Sequence, residues 1–199
     1  MYTICFAVTL VCIGVTHASV CCFPKQYEAN QGLMKATVKN GQLLILYGNL
    51  HYWFDGVSRR EVFIEDLTVD GYNTRVTVLK DYNVTNTKYV ISGNHCTQKS
   101  LTPFKEGCIP DWATKLTSSS YGLKNSGMNF SVYNNSASTV TSFLIASEDC
   151  FPILDISAIP TGSSPYMQVV MPYNFTLGIL DHTVFDIPAI CKPSSPVGK

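Results

Sequence analysis

Three kinds of side chain in this chain could do chemistry: histidines, clustered carboxylates and cysteines. Past the first eighteen residues the histidines are His51, His95 and His182. Acid–base or nucleophilic catalysis would need one of them beside a nucleophile or a carboxylate that orients it. No motif announces such a partner: Gly-x-Ser-x-Gly, His-Glu-x-x-His and a glycine-rich phosphate loop are all missing. The reading is therefore a protein that is not an enzyme, with no catalytic residues. Neither Cys-x-x-Cys nor a histidine pair stands at metal-ligand spacing, so no metal site is assigned. Calcium is the one cofactor that stays open. Glu61, Glu65, Asp66 and Asp70 form a loose acidic group that could lend oxygens to a hard cation. More often such a group is a solvated strand face with its turn.

The cysteines point elsewhere. Ile4 to Val15 is an apolar run, and Thr16-His17-Ala18 supplies a small-x-small cleavage site. Residues 1–18 thus read as a signal peptide whose positive end is only the α-amino group, and the protein as secreted. Cys5 and Cys12 leave with it. Cys21, Cys22, Cys96, Cys108, Cys150 and Cys191 remain, an even set that in an exported chain implies three disulfides. Bonding between neighbours Cys21 and Cys22 would be strained, so each must reach distant sequence, but many pairings stay open. Four sequons agree with export: Asn83, Asn129, Asn134 and Asn174 each begin an Asn-x-Ser/Thr triplet. An occupied asparagine must face water.

Basic and acidic residues number 14 each, and no basic run occurs. A nucleic-acid partner or a polybasic membrane patch is therefore not expected, nor does any later segment suffice to span a bilayer. One domain over residues 19–192 and a frayed tail over 193–199 account for the rest.

The elements that must position these groups read as strands. Gln42–Tyr47, Asn49–Phe54, Arg60–Asp66, Thr74–Lys80, Lys88–Ser92, Asn129–Tyr133, Thr139–Ala146 and Met167–Leu177 are rich in β-branched and aromatic residues. Asp55-Gly56 and Asp70-Gly71 mark turns. Asp111–Leu116, after Pro110, reads as a short helix. The fold class is mainly β and antiparallel. Side chains alternate along a strand, so glycans on Asn129 and Asn174 would turn Phe130 and Val132, then Tyr173, Phe175 and Leu177, to the dry side. The acids flanking Phe63 likewise put Val62 and Ile64 there, with Phe143 and Ile145 completing the set. These residues either fill a core or line an apolar pocket in a bent sheet.

The segment Phe175-Thr-Leu-Gly178-Ile-Leu-Asp181 through Phe185, Pro188 and Cys191 resembles the closing signature of ependymins and ependymin-related proteins. Cys21-Cys22-Phe-Pro24 is similar to the family's cysteine–proline opening, and Glu148-Asp-Cys150-Phe-Pro152 to its late Cys-x-Pro. Cys96-Thr-Gln-Lys99-Ser-Leu101, followed by Pro103-Phe104, resembles its Cys-x-Lys-x-x-Leu stretch. Tyr52-Trp-Phe-Asp55-Gly56 to Arg60 resembles its Tyr-Asp…Arg hairpin, with the Tyr-Asp pair spread apart. The matches run in order from Cys21 to Cys191. The resemblance implies curved antiparallel sheets forming a partly open, barrel-like fold similar to bacterial lipoprotein carriers, with short helices across the mouth. It implies a homodimer, and bridges Cys22–Cys150 and Cys96–Cys191, which leave Cys21 to Cys108. The function expected is a secreted glycoprotein that binds a hydrophobic or lipid-like ligand. The alternative is a calcium-responsive protein of extracellular matrix and cell adhesion.

Overall fold

Hairpins built on tight Asn-Gly and Asp-Gly turns set up the first half of the chain. A computed structural model describes residues 21–123, 126–137, 139–161 and 165–192. The expected signal peptide and tail lie outside the described residues. Strands β1 (Cys21–Cys22) and β2 (Gln26–Lys39) are followed by β3 (Gln42–Asp55), β4 (Arg60–Val69) and β5 (Tyr72–Asp81). Asn40-Gly41 joins β2 to β3 and Asp70-Gly71 joins β4 to β5, all four residues with positive φ. That is the backbone twist a two-residue hairpin turn demands. β6 (Thr87–Ser92) and β7 (His95–Ser100) complete this antiparallel meander. After β8 (Cys108–Ile109), a second meander runs through β9 (Thr114–Tyr121), β10 (Met128–Asn134), β11 (Thr141–Ser147), β12 (Pro152–Ile159) and β13 (Tyr166–Leu177). β13 pairs with β2, and the two meanders become one 11-stranded antiparallel sheet. Its edges are β7 and β9, so the sheet is not closed.

Several strands exceed or correct the sequence expectation. Gln42–Tyr47 and Asn49–Phe54 are one strand, because Gly48 does not break it. A Cβ at Gly48 would collide with the Asp66 carbonyl and sit 2.9 Å from the Leu67 Cα, so the glycine serves the close approach of β4. The helix expected over Asp111–Leu116 is absent. Ala113 N–H closes a single turn onto the Pro110 carbonyl at 2.9 Å, and the chain then extends as β9, opposite β10. Among the described residues the helical segments are two 3-10 turns, His182–Phe185 and Ala189–Cys191.

The sheet has two faces, and cross-strand pairs share a face. On one, called outer here, Trp53, Val62, Leu79 and Tyr89 form a row on β3 to β6. The C-terminal segment covers it: the chain leaves β13 at Gly178 (φ 82), and Phe185 and Cys191 bury against that row, each 3% exposed. The Cys96–Cys191 disulfide, as expected, fastens it. On the inner face Tyr27, Tyr52 and Phe54 pack with Phe63, Phe104 and Phe175. Ile109, Tyr133, Leu144 and Ala146 form a second inner cluster, on the other meander. Phe23 packs against both, so the N-terminal segment bridges the two halves of the face.

Two disulfides hold that segment, and their pairing corrects the expectation. Cys22 bonds Cys108 and Cys21 bonds Cys150. β1 pairs with β8 so that Cys22 faces Cys108 directly, while Cys21 lies opposite Ile109 and its side chain alternates to the other side, toward Cys150.

At the β3–β4 corner Asp55 is fully buried. Its Oδ1 accepts from the Ser58 backbone N–H at 2.9 Å and from Gln26 Nε2 at 3.0 Å; its Oδ2 accepts from Arg60 at 3.3 Å. The Arg60 guanidinium lies 4.5 Å from the Phe185 ring centre, linking this corner to the C-terminal cover. Burial acts to raise the Asp55 carboxyl, but the bonds from Ser58, Gln26 and Arg60 outweigh it and hold it below the usual range.

Phe185→Ala should cost about 3–5 kcal/mol by emptying the space under the C-terminal cover, read from urea unfolding; a loss within error of zero would show that the cover does not bear on stability. The ionised Asp55 carboxylate stabilises the fold at every pH above its unfolded value, about 3.9, and that stability is lost as pH falls through the lower folded value. Asp55→Asn should therefore lower the thermal midpoint at neutral pH and flatten its decline below about pH 4, measured by a melting series across pH.

Candidate functional site

The inner face holds a hollow of about 460 Å³ beside the aromatic cluster. Alternate residues of six strands line it, because alternation sends every second side chain to this face. β2 supplies Gln31, Leu33 and Lys35, β3 supplies Leu46 and Leu50, and β4 supplies Phe63, Glu65 and Leu67. Val78 and Lys80 come from β5, Lys88 from β6, and Gln168 and Val170 from β13. Leu50, Leu67 and Val78 are each 7% exposed and make a dry floor. Phe63 stacks on Tyr52 with ring centres 4.4 Å apart, so the aromatic cluster closes one end. The volume falls in the range of small-molecule sites, roughly 300–1,000 Å³.

The charged groups are unevenly matched. Lys80 Nζ donates to Glu61 Oε2 at 2.9 Å and lies 4.8 Å from the centre of the Phe63 ring. Lys35 sits 4.4 Å over the Tyr166 ring. Burial raises the Glu65 carboxyl, and the nearby Lys88 and Lys80 only partly offset it. Asp155, opposite Val170 on β12, is also raised by burial. The wall is thus mixed: leucines, valines and Phe63 share it with Gln31, Gln168, Glu65 and three lysines.

Of the residues expected to line a pocket, the structure places most on the outer face. Val62, 1% exposed, and Ile64 lie beneath the C-terminal cover with Trp53 and Leu79. Parity between neighbours was right, but Phe63, between its acids, is the residue on the hollow. Val132 pairs with Ile145, and Phe143 with both Asn134 and Ile156, on the outer side of β10 to β12; Phe130 shares that parity. Tyr173 is outer as well, its hydroxyl donating to Asn49 Oδ1 at 3.4 Å. A β-bulge between Tyr173 and Thr176, with Asn174 at φ 52, then flips the alternation. Phe175 is therefore inner, in contact with Tyr27 and Phe151 at ring separations of 5.8 and 5.2 Å. It belongs to the aromatic end and not to the hollow's lining. Leu177 is 66% exposed at the strand end.

Leu33, Lys35 and Gln31 were missed because no strand was read over Gln26–Lys39. Their spacing at every second position, matched by Leu44, Leu46 and Leu50 across a two-residue Asn-Gly turn, was the available signal. The acids proposed for calcium are not gathered. Glu61 pairs with Lys80, Glu65 faces the hollow, and Asp66 is outer with Arg75 at 3.7 Å. Asp70 sits in the β4–β5 turn, and no group of three His, Cys, Asp or Glu suited to a metal occurs among the described residues. His51 stacks on Trp53 at 3.9 Å on the outer face. Asn83, Asn129 and Asn174 are exposed, and Asn134 is half-buried with its Oδ1 accepting from Ser136 N–H at 3.0 Å. Another depression, of about 430 Å³, is lined only by the polar β4–β5 hairpin. No helix among the described residues is long and apolar enough to cross a membrane.

No family model matches the chain. Among solved structures, a β-barrel-like protein of domain of unknown function DUF1849 from Brucella abortus is similar at a TM-score of 0.37 and 5% identity, over 79% of this chain and 99% of that one. A DUF1329 family protein from Desulfovibrio piger is similar at a TM-score of 0.36 and 7% identity, over 82% and 90%. Superpositions this loose carry no argument about the chain. Sequence similarity reaches further: Ependymin-related protein 1 of Haliotis asinina is 26% identical over 200 residues, 94% of this chain and 97% of that protein. That likeness runs nearly end to end in both proteins.

Proposed function

We propose that the protein is a non-catalytic, secreted carrier of a hydrophobic or lipid-like molecule, which it takes up in the inner hollow. One observation carries this reading: a hollow of about 460 Å³ on the inner face, lined from six strands and floored by Leu50, Leu67 and Val78, that the protein's own residues leave unfilled. Covering apolar ligand surface there is worth about 25 cal/mol per Å², enough for useful affinity without any covalent step. Three disulfides across sequence separations of 86 to 129 residues support an oxidising, extracellular setting. Exposed sequon asparagines at Asn83, Asn129 and Asn174 are compatible with a glycoprotein.

A second feature supports a homodimer. The outer face of β2, β3 and β13 carries Met34, Ile45, Tyr47, Met167 and Met171, all between 47% and 55% exposed. Cross-strand pairing makes them one continuous surface: Met34 faces Tyr47 and Val169, and Ala36 faces Ile45 and Met167. A patch of this kind on a soluble protein marks an interaction surface, and a second copy of the same face would cover it.

Val170→Trp should fill the hollow and weaken uptake of the neutral fluorophore N-phenyl-1-naphthylamine at least tenfold, while Met171→Gln on the outer face leaves it unchanged. Uptake retained by a folded Val170→Trp protein would refute the hollow as the site. Ile45→Glu, in turn, should convert a dimer to a monomer in sedimentation analysis and leave fluorophore uptake intact; a wild-type protein that sediments as a monomer would remove the dimer.

A further inference from the structure

A second cavity, a cleft of about 320 Å³, opens at the end of the aromatic cluster away from the hollow. The N-terminal segment, the β3–β4 turn and the chain entering β8 meet there. Phe23 N–H donates to the Gly107 carbonyl at 2.6 Å, and Gly56 N–H to the Lys25 carbonyl at 2.7 Å. Phe23, Phe54 and Phe104 line the cleft with rings, the last two stacked at 6.1 Å. Exposed Lys25, Arg59 and Glu106 line it with charge. No lining residue is shared with the hollow. Tyr52 stands between, its ring 4.4 Å from Phe63 of the hollow and 6.3 Å from Phe54 of the cleft.

Arg59 is out of place on backbone grounds. Among the described residues, the non-glycine positions with positive φ are Asn40, Arg59, Asp70, Asn86, Cys150 and Asn174. Asparagine and aspartate tolerate that conformation, and a disulfide ties Cys150. Arginine at φ 53 has neither excuse. Its carbonyl accepts from Tyr82 N–H at 3.1 Å, a bond that any residue could make. Among the described residues no carboxylate lies within ion-pair distance of Arg59 or Lys25. Strain of this kind points to a function for the side chain.

We propose that the cleft binds a small planar aromatic carboxylate, its ring against Phe54 and Phe104 and its oxygens on Arg59 and Lys25. A guanidinium is planar and meets a carboxylate with two parallel bonds, and ring-on-ring contact favours an aromatic body over an aliphatic one. Glu106 opposes the anion, so the head belongs on the side of the two cations. The site does not depend on the carrier reading.

The test compares 2-naphthoate with the neutral 2-naphthalenemethanol by calorimetry at low salt. Wild-type protein should bind the acid about tenfold more tightly, the size of one charge-assisted contact. Arg59→Gly should abolish that preference while raising the thermal midpoint, because glycine suits the turn. Glu106→Gln should tighten the acid alone. Val170→Trp, which fills the hollow, should leave naphthoate binding unchanged; loss of binding there would move the ligand to the hollow and overturn the cleft. Equal affinities in the wild type, or no binding of either compound, would overturn the proposal. So would a lower midpoint in Arg59→Gly, which would assign the side chain to the fold. Acetate should not displace naphthoate at equal concentration; displacement would reduce the cleft to a site for any carboxylate and overturn its aromatic part.

Discussion

Pairing of β2 with β13 is the constraint on which the architecture depends. Tyr166 aligns with Thr37 and Leu177 with Tyr27, joining residues well over a hundred positions apart. Each meander alone could form from local hairpins, but a twisted half-sheet with one uncovered face would be poorly buried. The junction brings Gln168 and Val170 beside Leu33, and so builds a hollow with walls from both meanders. Contacts of such sequence separation carry a large loop-closure cost, and the disulfides of Cys21 and Cys22 bear on that cost. They anchor the N-terminal segment to Cys150 and Cys108, with Phe23 between the two inner clusters.

The two faces of the sheet are divided by use. Over β3 to β6 the outer face is the principal core, sealed by a C-terminal segment that carries little regular structure of its own. Phe185, Cys191 and the Arg60 guanidinium make that cover specific, and buried Asp55 fixes Arg60. With stability placed there and in the aromatic cluster, the middle of the inner face can stay unfilled. Beyond the cover, on β2 and β13, the outer face is again apolar but bare.

Electrostatics follow the same division. Aspartates at corners, such as Asp55 and Asp81, are satisfied by backbone donors and serve the turns. Charges on the inner face are less completely matched: Glu65 is raised by burial, and the lysines of β6 and β7 stand in a row. Unmatched groups beside a cavity are where ligand chemistry is most economically placed, since a ligand can supply what the fold does not.

By itself the sequence determined the class of fold, the turns and the cross-linked character. Asp70-Gly71 had to turn, the β-branched runs of β4, β5 and β13 had to extend, and an even set of six cysteines after residue 18 pointed to bridges. The ordered motifs from Cys21 to Cys191 also carried the family resemblance. What tertiary structure decided was which side of each strand is inside. Alternation relates neighbours on a strand without naming the buried face, and here both faces bury residues: Val62, 1% exposed, lies on the face away from the hollow, while Phe63 between two acids lines it. A single bulge at Asn174 inverts the parity between Tyr173 and Phe175. Partner choice at Cys21 and Cys22 was likewise undetermined locally, because adjacent residues differ only in the direction they face once β1 has met β8. Facing is a property of strands brought together over long range, and no local pattern encodes it.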